Sequence, residues 1–295
     1  MVAAGCASPA EAPATPPVTG PMAATRSGGG LLYVSDFYAS EILIYPAAQK
    51  NPDPTGSITD GVSYPYNLAV DAAGTLYVQN NNNTVTEYAK GTTTPSKTLD
   101  EPESGVGTGI CITVGSDGTV YTVDHYAGKV YEFKDGSTSP TTTLDLSEAF
   151  GVALDSKNDL YVGWAPNSSG GPGHVNRYKP GSTKGHDLGI TVEYSGGLAV
   201  DDDDNLLVGD QGNRVVDIFK PGTDTPFRTI STSPAAPYQF AFDKNDKELY
   251  LVSGSPAEVY VYDYKSGKLK WTDTEGMNGS QGYAEGVALS PAQPQ

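Results

Sequence analysis

Cysteine, methionine, tryptophan and histidine are all scarce in this 295-residue chain, with two, three, two and three copies respectively. The two cysteines, Cys6 and Cys111, lie in unlike contexts. A disulfide scaffold is therefore not expected, and a chain of this length buries a core without one. Basic residues are also few: 18 Lys and Arg face 35 Asp and Glu, for a formal net charge of -17. The basic stripe that nucleic acid or an anionic membrane surface requires is missing. No segment approaches the ~20 consecutive apolar residues of a membrane span. The three histidines, His125, His174 and His186, show no zinc-site spacing. There is no Gly-x-Ser-x-Gly, and the Gly-rich stretch Ser168–Gly173 lacks the lysine and the helix of a phosphate loop.

What the chain does have is turns. Its 35 glycines and 22 prolines make up about a fifth of the residues, a composition suited to many short strands joined by tight connections. An apolar pair recurs as Leu32-Tyr33, Leu76-Tyr77, Val120-Tyr121, Leu160-Tyr161, Leu206-Leu207 and Leu249-Tyr250, at spacings of 44, 44, 40, 46 and 43 residues. Each pair sits in the second strand of a unit. First strands recur at Leu68–Asp71, Ile112–Val114, Val152–Asp155, Leu198–Asp201 and Phe240–Asp243. Third strands recur at Glu41–Tyr45, Thr84–Tyr88, Lys129–Phe133, Val175–Tyr178, Val215–Phe219 and Val259–Tyr262. Weaker fourth strands fall at Lys97–Leu99, Thr142–Leu144, Phe227–Ile230 and Leu269–Thr272. A period near 43 with up to four strands per unit is the signature of propeller blades. The first unit lacks a first strand and the chain ends with a spare one, Gly286–Leu289. Inserting the spare strand into the first unit closes the ring and removes two exposed edges. The expectation is an all-β, six-bladed propeller spanning residues 31–295.

Residues 1–30, rich in Ala, Pro, Thr, Ser and Gly, cannot bury enough apolar surface to offset their ordering entropy and read as a disordered tether. Val2-Ala3-Ala4-Gly5-Cys6 resembles the end of a bacterial lipoprotein signal, with Cys6 as the lipidated residue. The resemblance implies an extracytoplasmic protein, lipid-anchored in the cell envelope or secreted, that meets a membrane only through Cys6. A monomer is expected.

Blade geometry sorts the polar residues. The start of each first strand and the end of each second strand share one face, and the hairpin between them lies on the other. The run Asp201–Asp204 falls in such a hairpin, as a solvated turn or a calcium loop. On the opposite face, second-strand ends place Asp36, Asn80, Asp124, Trp164, Asp210 and Ser253 at equivalent positions, and first-strand starts add Asn67, Gln239 and Glu285. A partial ring of oxygen side chains is what a hard cation or a sugar-like ligand needs. The same residues equally suit capping of turn amides. Tyr38, Tyr64, Tyr66, Tyr126, Tyr194, Tyr238 and Tyr283 belong to loops or strand starts on this face, suiting carbohydrate or peptide contact or loop anchoring. His125, next to Asp124, is the one candidate for general-base chemistry. Cys111, in an apolar strand, reads as a buried inert thiol.

Asp210-Gln-Gly-Asn213-Arg214-Val-Val-Asp-Ile-Phe219, with turns such as Tyr178-Lys-Pro-Gly181, resembles the NHL repeat and, more loosely, the blades of SMP-30/gluconolactonase-like propellers. The first resemblance is specific for fold; with no catalytic constellation evident, the function read here is a non-catalytic binding or scaffold module with a small molecule, carbohydrate or protein at the channel mouth. The second implies a metal-dependent hydrolase or lactonase holding one divalent cation, Ca²⁺ or similar. Its ligands would be Glu285, Asn67 or Asn80, and Asp124 or Asp210. Trp164 and Ser253 interrupt that ring.

Overall fold

The computed structural model describes residues 30–102, 109–167, 171–243, 245–277 and 282–290. The tether with Cys6 lies outside the described residues apart from Gly30, as do residues 168–170 of the Gly-rich stretch of the fourth blade. Among the described residues every regular element is a strand, and the strands form six four-stranded antiparallel sheets.

Blade one contains β1 (Leu31–Asp36), β2 (Glu41–Pro46) and β3 (Gly56–Ile58). Blade two is β4 (Pro65–Val70), β5 (Leu76–Asn80), β6 (Thr84–Tyr88) and β7 (Lys97–Asp100). Blade three is β8 (Gly109–Val114), β9 (Val120–Asp124), β10 (Lys129–Phe133) and β11 (Thr142–Asp145). Blade four is β12 (Val152–Leu154), β13 (Leu160–Trp164), β14 (Gly173–Tyr178) and β15 (His186–Val192). Blade five is β16 (Ser195–Val200), β17 (Leu206–Asp210), β18 (Val215–Phe219) and β19 (Arg228–Ser231). Blade six is β20 (Gln239–Phe242), β21 (Glu248–Val252), β22 (Val259–Asp263) and β23 (Lys268–Asp273). The last strand, β24 (Ala284–Leu289), returns to blade one as its innermost strand and pairs with β1 through Leu32↔Leu289 and Val34↔Val287. Leu31 and Ser290 clasp the end of this pair: Leu31 N–H donates to Ser290 Oγ (2.9 Å), and Ser290 N–H to Leu31 O (2.8 Å).

Two strands go beyond the sequence expectation. Blade one has an outer strand, β3, and blade four has β15, which places His186 in a strand paired with Arg177 rather than in a blade connection. Both were hard to see because their apolar content is thin: β3 buries only Ile58, and β15 is interrupted by Gly189 at φ +75°.

The core is a ring of interfaces. Each apolar cluster joins two neighbouring blades: Leu207, Ile218 and Leu251 join blades five and six, and Val34, Val252 and Val287 join blades six and one. Buried tyrosines bridge across. Tyr45 of blade one donates to Glu275 O (2.8 Å), and Tyr264 of blade six to Asp201 Oδ2 (2.8 Å).

The first-to-second-strand hairpins share one turn. In each, the fourth residue donates back to the first: Gly74 to Asp71, Gly118 to Gly115, Asn158 to Asp155, Asp204 to Asp201 and Asp246 to Asp243, at 2.9–3.1 Å. That fourth residue is left-handed, which Gly, Asn and Asp tolerate best. In blades four, five and six its side chain reaches the preceding blade. Asn158 Oδ1 accepts from Ser116 Oγ (3.2 Å), Asp204 from Ser156 N and Oγ (2.9 and 2.8 Å), and Asp246 Oδ2 from Asp202 N (2.6 Å). The Asp201–Asp204 run is therefore a turn with an inter-blade strap: Asp201 Oδ1 accepts from Asp203 N and Asn205 N (3.0 and 2.8 Å).

Removing β24 leaves blade one with an unpaired edge and takes Val287 from the six–one interface. A chain ending at Gly282 is expected to lose cooperative unfolding or to self-associate through that edge. Size-exclusion chromatography and thermal melts against the full chain check this; an unchanged monomer with an unchanged melt would show that closure is dispensable.

Candidate functional site

At the start of the first strands the ring narrows. A Cβ on Gly286 would lie 2.5 Å from Tyr66 O and 2.7 Å from the Asn67 Cα, so only glycine lets β24 approach β4 this closely. On this face Asn67, Cys111 and Gln239 meet. Asn67 Nδ2 donates to Cys111 Sγ (3.2 Å), Val152 N donates to the same sulfur (3.4 Å), and Sγ faces Gln239 Oε1 at 3.7 Å. Gln239 Nε2 donates to Ile110 O (3.3 Å). Cys111 and Ile110 belong to blade three and Gln239 to blade six, opposite one another in the ring, so these contacts span the channel. Below them is a cavity of about 310 Å³, running along the inner strands to Val70, Leu154, Val200, Phe242 and Leu289. Burial pushes the Cys111 thiol up, in keeping with an inert sulfur.

Most of the second-strand residues expected to form an oxygen ring turn to the backbone instead. Asp36 Oδ1 accepts from Ala39 N (3.1 Å), Asp124 Oδ1 from Ala127 N (2.9 Å) and Asp210 Oδ1 from Asn213 N (3.0 Å). Asp210 also accepts from Glu193 N, Tyr194 N and Asn213 Nδ2 (2.9, 3.3 and 2.9 Å). Asn80 Oδ1 accepts from Ser63 N (2.9 Å), and its Nδ2 is shared among Val78 O, Thr84 Oγ1 and Thr86 Oγ1. Trp164 Nε1 donates to Asn176 Oδ1 (3.1 Å). All of the acidic residues and Asn80 are buried. Among the described residues no group of three or more His, Cys, Asp and Glu side chains could hold a metal ion.

These caps have a common product. Asp36 fixes the turn that carries Phe37 and Tyr38, and Asp124 the turn that carries His125 and Tyr126. Asn80 and Asp210 fix the loops that carry Tyr64 and Tyr194. Tyr64 is held at φ +46°, a conformation costly for a bulky residue, with its amide donating to Ser40 Oγ (3.2 Å). Apart from Tyr194, these rings join Tyr66, Phe150, Tyr238 and Tyr283 in two arcs. In one, Phe37 packs on Tyr38, Tyr64 and Tyr66 at centroid distances of 5.2, 5.4 and 4.9 Å, and Tyr38 packs on Tyr283 at 5.8 Å. In the other, His125 packs on Tyr126 (5.2 Å) and Phe150 (5.9 Å), and Phe150 on Tyr238 (5.2 Å). Tyr38, Tyr64 and Tyr126 are among the most exposed large hydrophobics of the chain, at 63%, 48% and 67%. Tyr66 and Tyr238 pack on the cluster of Ile110, Cys111 and Phe150 above the channel seal.

Glu285 lies between the arcs, 4% exposed. The Tyr238 hydroxyl faces its carboxyl, and its Oε2 is enclosed with no hydrogen-bond partner among the described residues. Burial pushes the carboxyl up to about 8. The same burial, together with the nearby Glu285 charge, pushes Tyr66 up to about 12 and Tyr238 well above its ordinary value. His125 is engaged on both sides: Nδ1 lies 2.9 Å from Ala149 O, which can only accept, and Nε2 lies 3.2 Å from Glu148 Oε2. His174 stacks on Trp164 (5.1 Å), away from both arcs.

Sequence reasoning did not single out Phe37, Phe150 or Glu148. Phe37 directly follows β1 and Phe150 stands two residues before β12, and that placement was the available signal.

The class these features define is a six-bladed β-propeller. No family model matches the chain, and no curated protein does. Solved structures match in number, 1483 chains in all. One, from the crystal structure of a nidogen/laminin complex, has a TM-score of 0.71 at 16% identity and covers 90% of this chain and 100% of its own. Another, a protein of unknown function from Bacteroides caccae, has a TM-score of 0.66 at 12% identity and covers 89% of this chain and 99% of its own. At such identities the likeness is one of fold.

Two predictions follow from this geometry. Asp210 accepts four hydrogen bonds and Asp124 one, as the distances above show. Asp210→Ala is expected to cost about 2–4 kcal/mol and Asp124→Ala about 1–2 kcal/mol in urea unfolding. Equal costs would show that the extra bonds of Asp210 are not felt.

The second concerns pH. Burial raises Glu101 to about 7 and Glu285 to about 8. A carboxyl held above its unfolded value binds more protons in the folded state, so stability falls as pH rises from about 4.5 to about 8. The melting temperature is expected to drop across that window, and Glu285→Gln to shrink the drop above about pH 7. A wild-type profile rising over this range would contradict the assignment.

Proposed function

We propose that this protein is a non-catalytic binding propeller whose site is the aromatic dish over Glu285. The observation that carries the reading is the purpose of the caps. Asp36, Asn80, Asp124 and Asp210 use their oxygens to hold turns, and what those turns carry outward is aromatic. Exposed rings over a sealed floor provide contact area at low entropic cost. The capped Asp210–Asn213 turn supports the NHL-like resemblance of blade five. The setting we assign is extracytoplasmic, with residues 1–30 as tether and Cys6 as its lipid attachment point.

The lactonase-like reading requires Asp124 or Asp210 to join Glu285 and Asn67 around one ion. The turn amides on both Asp residues argue against it.

The test is a thermal-shift screen of small molecules and soluble glycans on the full chain and on Tyr38→Ala/Tyr126→Ala. Both tyrosines are exposed, so the double variant should fold with stability within about 1 kcal/mol of wild type. A ligand at a hundredfold excess over its dissociation constant stabilises by about 2.7 kcal/mol. The expected result is a ligand that raises the wild-type melt and not the variant's. Ligands that shift both equally, or none that shift either, would overturn the reading.

A further inference from the structure

The dish is unusual in what surrounds its carboxyl. Glu285 is buried, and among the described residues no Lys, Arg or His is among the groups that influence it. The lysine and arginine side chains that do sit on rings are elsewhere: Lys220 on Phe227, Arg228 on Tyr264 and Lys270 on Trp271. The mouth thus combines electron-rich ring faces with a carboxyl whose Oε2 has no partner among the described residues, and the lysine and arginine contacts with rings lie outside it.

The polar groups that would read a sugar are otherwise occupied. Asp124, Asp210 and Asn80 hold turn amides, and His125 is engaged through both nitrogens. Carbohydrate recognition needs several hydrogen-bonding side chains converging on one ligand. What remains open here is mainly ring surface above one carboxyl. That combination matches a compact organic cation: ring quadrupoles attract it, and Glu285, which burial holds mainly as the neutral acid near pH 7, releases its proton to solvent to become the carboxylate that balances the bound charge.

Resting on the binding reading above, we propose that the dish recognises an alkylammonium group, with Tyr66, Tyr238 and Tyr283 as its ring walls and Glu285 as its counter-charge. The group has two chemical sources, a free small molecule or a modified lysine side chain. The protein's net charge of -17 favours the approach of either.

The experiment titrates the full chain by calorimetry with choline and with 3,3-dimethyl-1-butanol, its uncharged carbon isostere. Choline is expected to bind at least about tenfold more tightly, the scale of a desolvated cation–ring contact. In Glu285→Gln, which keeps the side chain's size, the preference should fall severalfold while the isostere's affinity holds. Should that variant fail to fold, Tyr38→Ala/Tyr126→Ala provides the control, since exposed rim substitutions should weaken choline binding without unfolding the chain. Nα-acetyl-trimethyllysine amide separates the sources: binding as tight as choline's supports recognition of the headgroup alone, and much tighter binding supports a side chain on a peptide.

Equal affinity for choline and the isostere would overturn the cation inference and leave the binding reading standing. The same holds if choline fails to bind while another molecule in the thermal-shift screen does. Choline preference that survives Glu285→Gln intact would overturn the assignment of Glu285. No binding by any compound would overturn both.

Discussion

No blade of this propeller owns a core. Every apolar cluster is shared by two neighbours, so each blade's burial depends on the next blade being present. A chain of six such units with free ends would leave two half-cores and two sheet edges in water. The β24–β1 pairing removes both liabilities at once, with Val287 on the six–one interface and Ser290 clasping Leu31. The stability of the whole ring therefore hangs on a strand synthesised after all the blades it closes.

Closure also governs how tightly the inner strands crowd at the mouth. Gly286 sits against the backbone of Tyr66 and Asn67, and this places the following and preceding residues of β24 among the inner strands. Glu285 is in consequence delivered to the axis by the same strand that closes the ring. The fold and the candidate site share one structural cause.

The architecture was legible because propeller blades write themselves locally. The apolar pairs from Leu32-Tyr33 to Leu249-Tyr250, the turn residues and the spare strand Gly286–Leu289 are all visible along the chain. β3 and β15 were not, because an outer strand packs on one side only and needs just an occasional apolar residue. The site was half legible. Asp36, Asn80, Asp124 and Asp210 stood out by position, but whether a carboxylate faces an amide or a cavity is settled by turn geometry, which strand parity does not encode. The channel seal could not be read at all, since Cys111 and Gln239 are 128 residues apart and meet only across the closed ring. Cys111 is the buried core thiol expected, and its sulfur also accepts from Asn67 and Val152 of the two neighbouring blades.

That seal has a consequence for the molecule as a disc. Contacts between opposite blades, Gln239 with Ile110 and Cys111, divide the axial space into an aromatic face and a separate chamber beneath. Anything passing along the axis would meet these contacts. The two faces thus differ in chemistry, with aromatic rings on one and acidic inter-blade straps on the other.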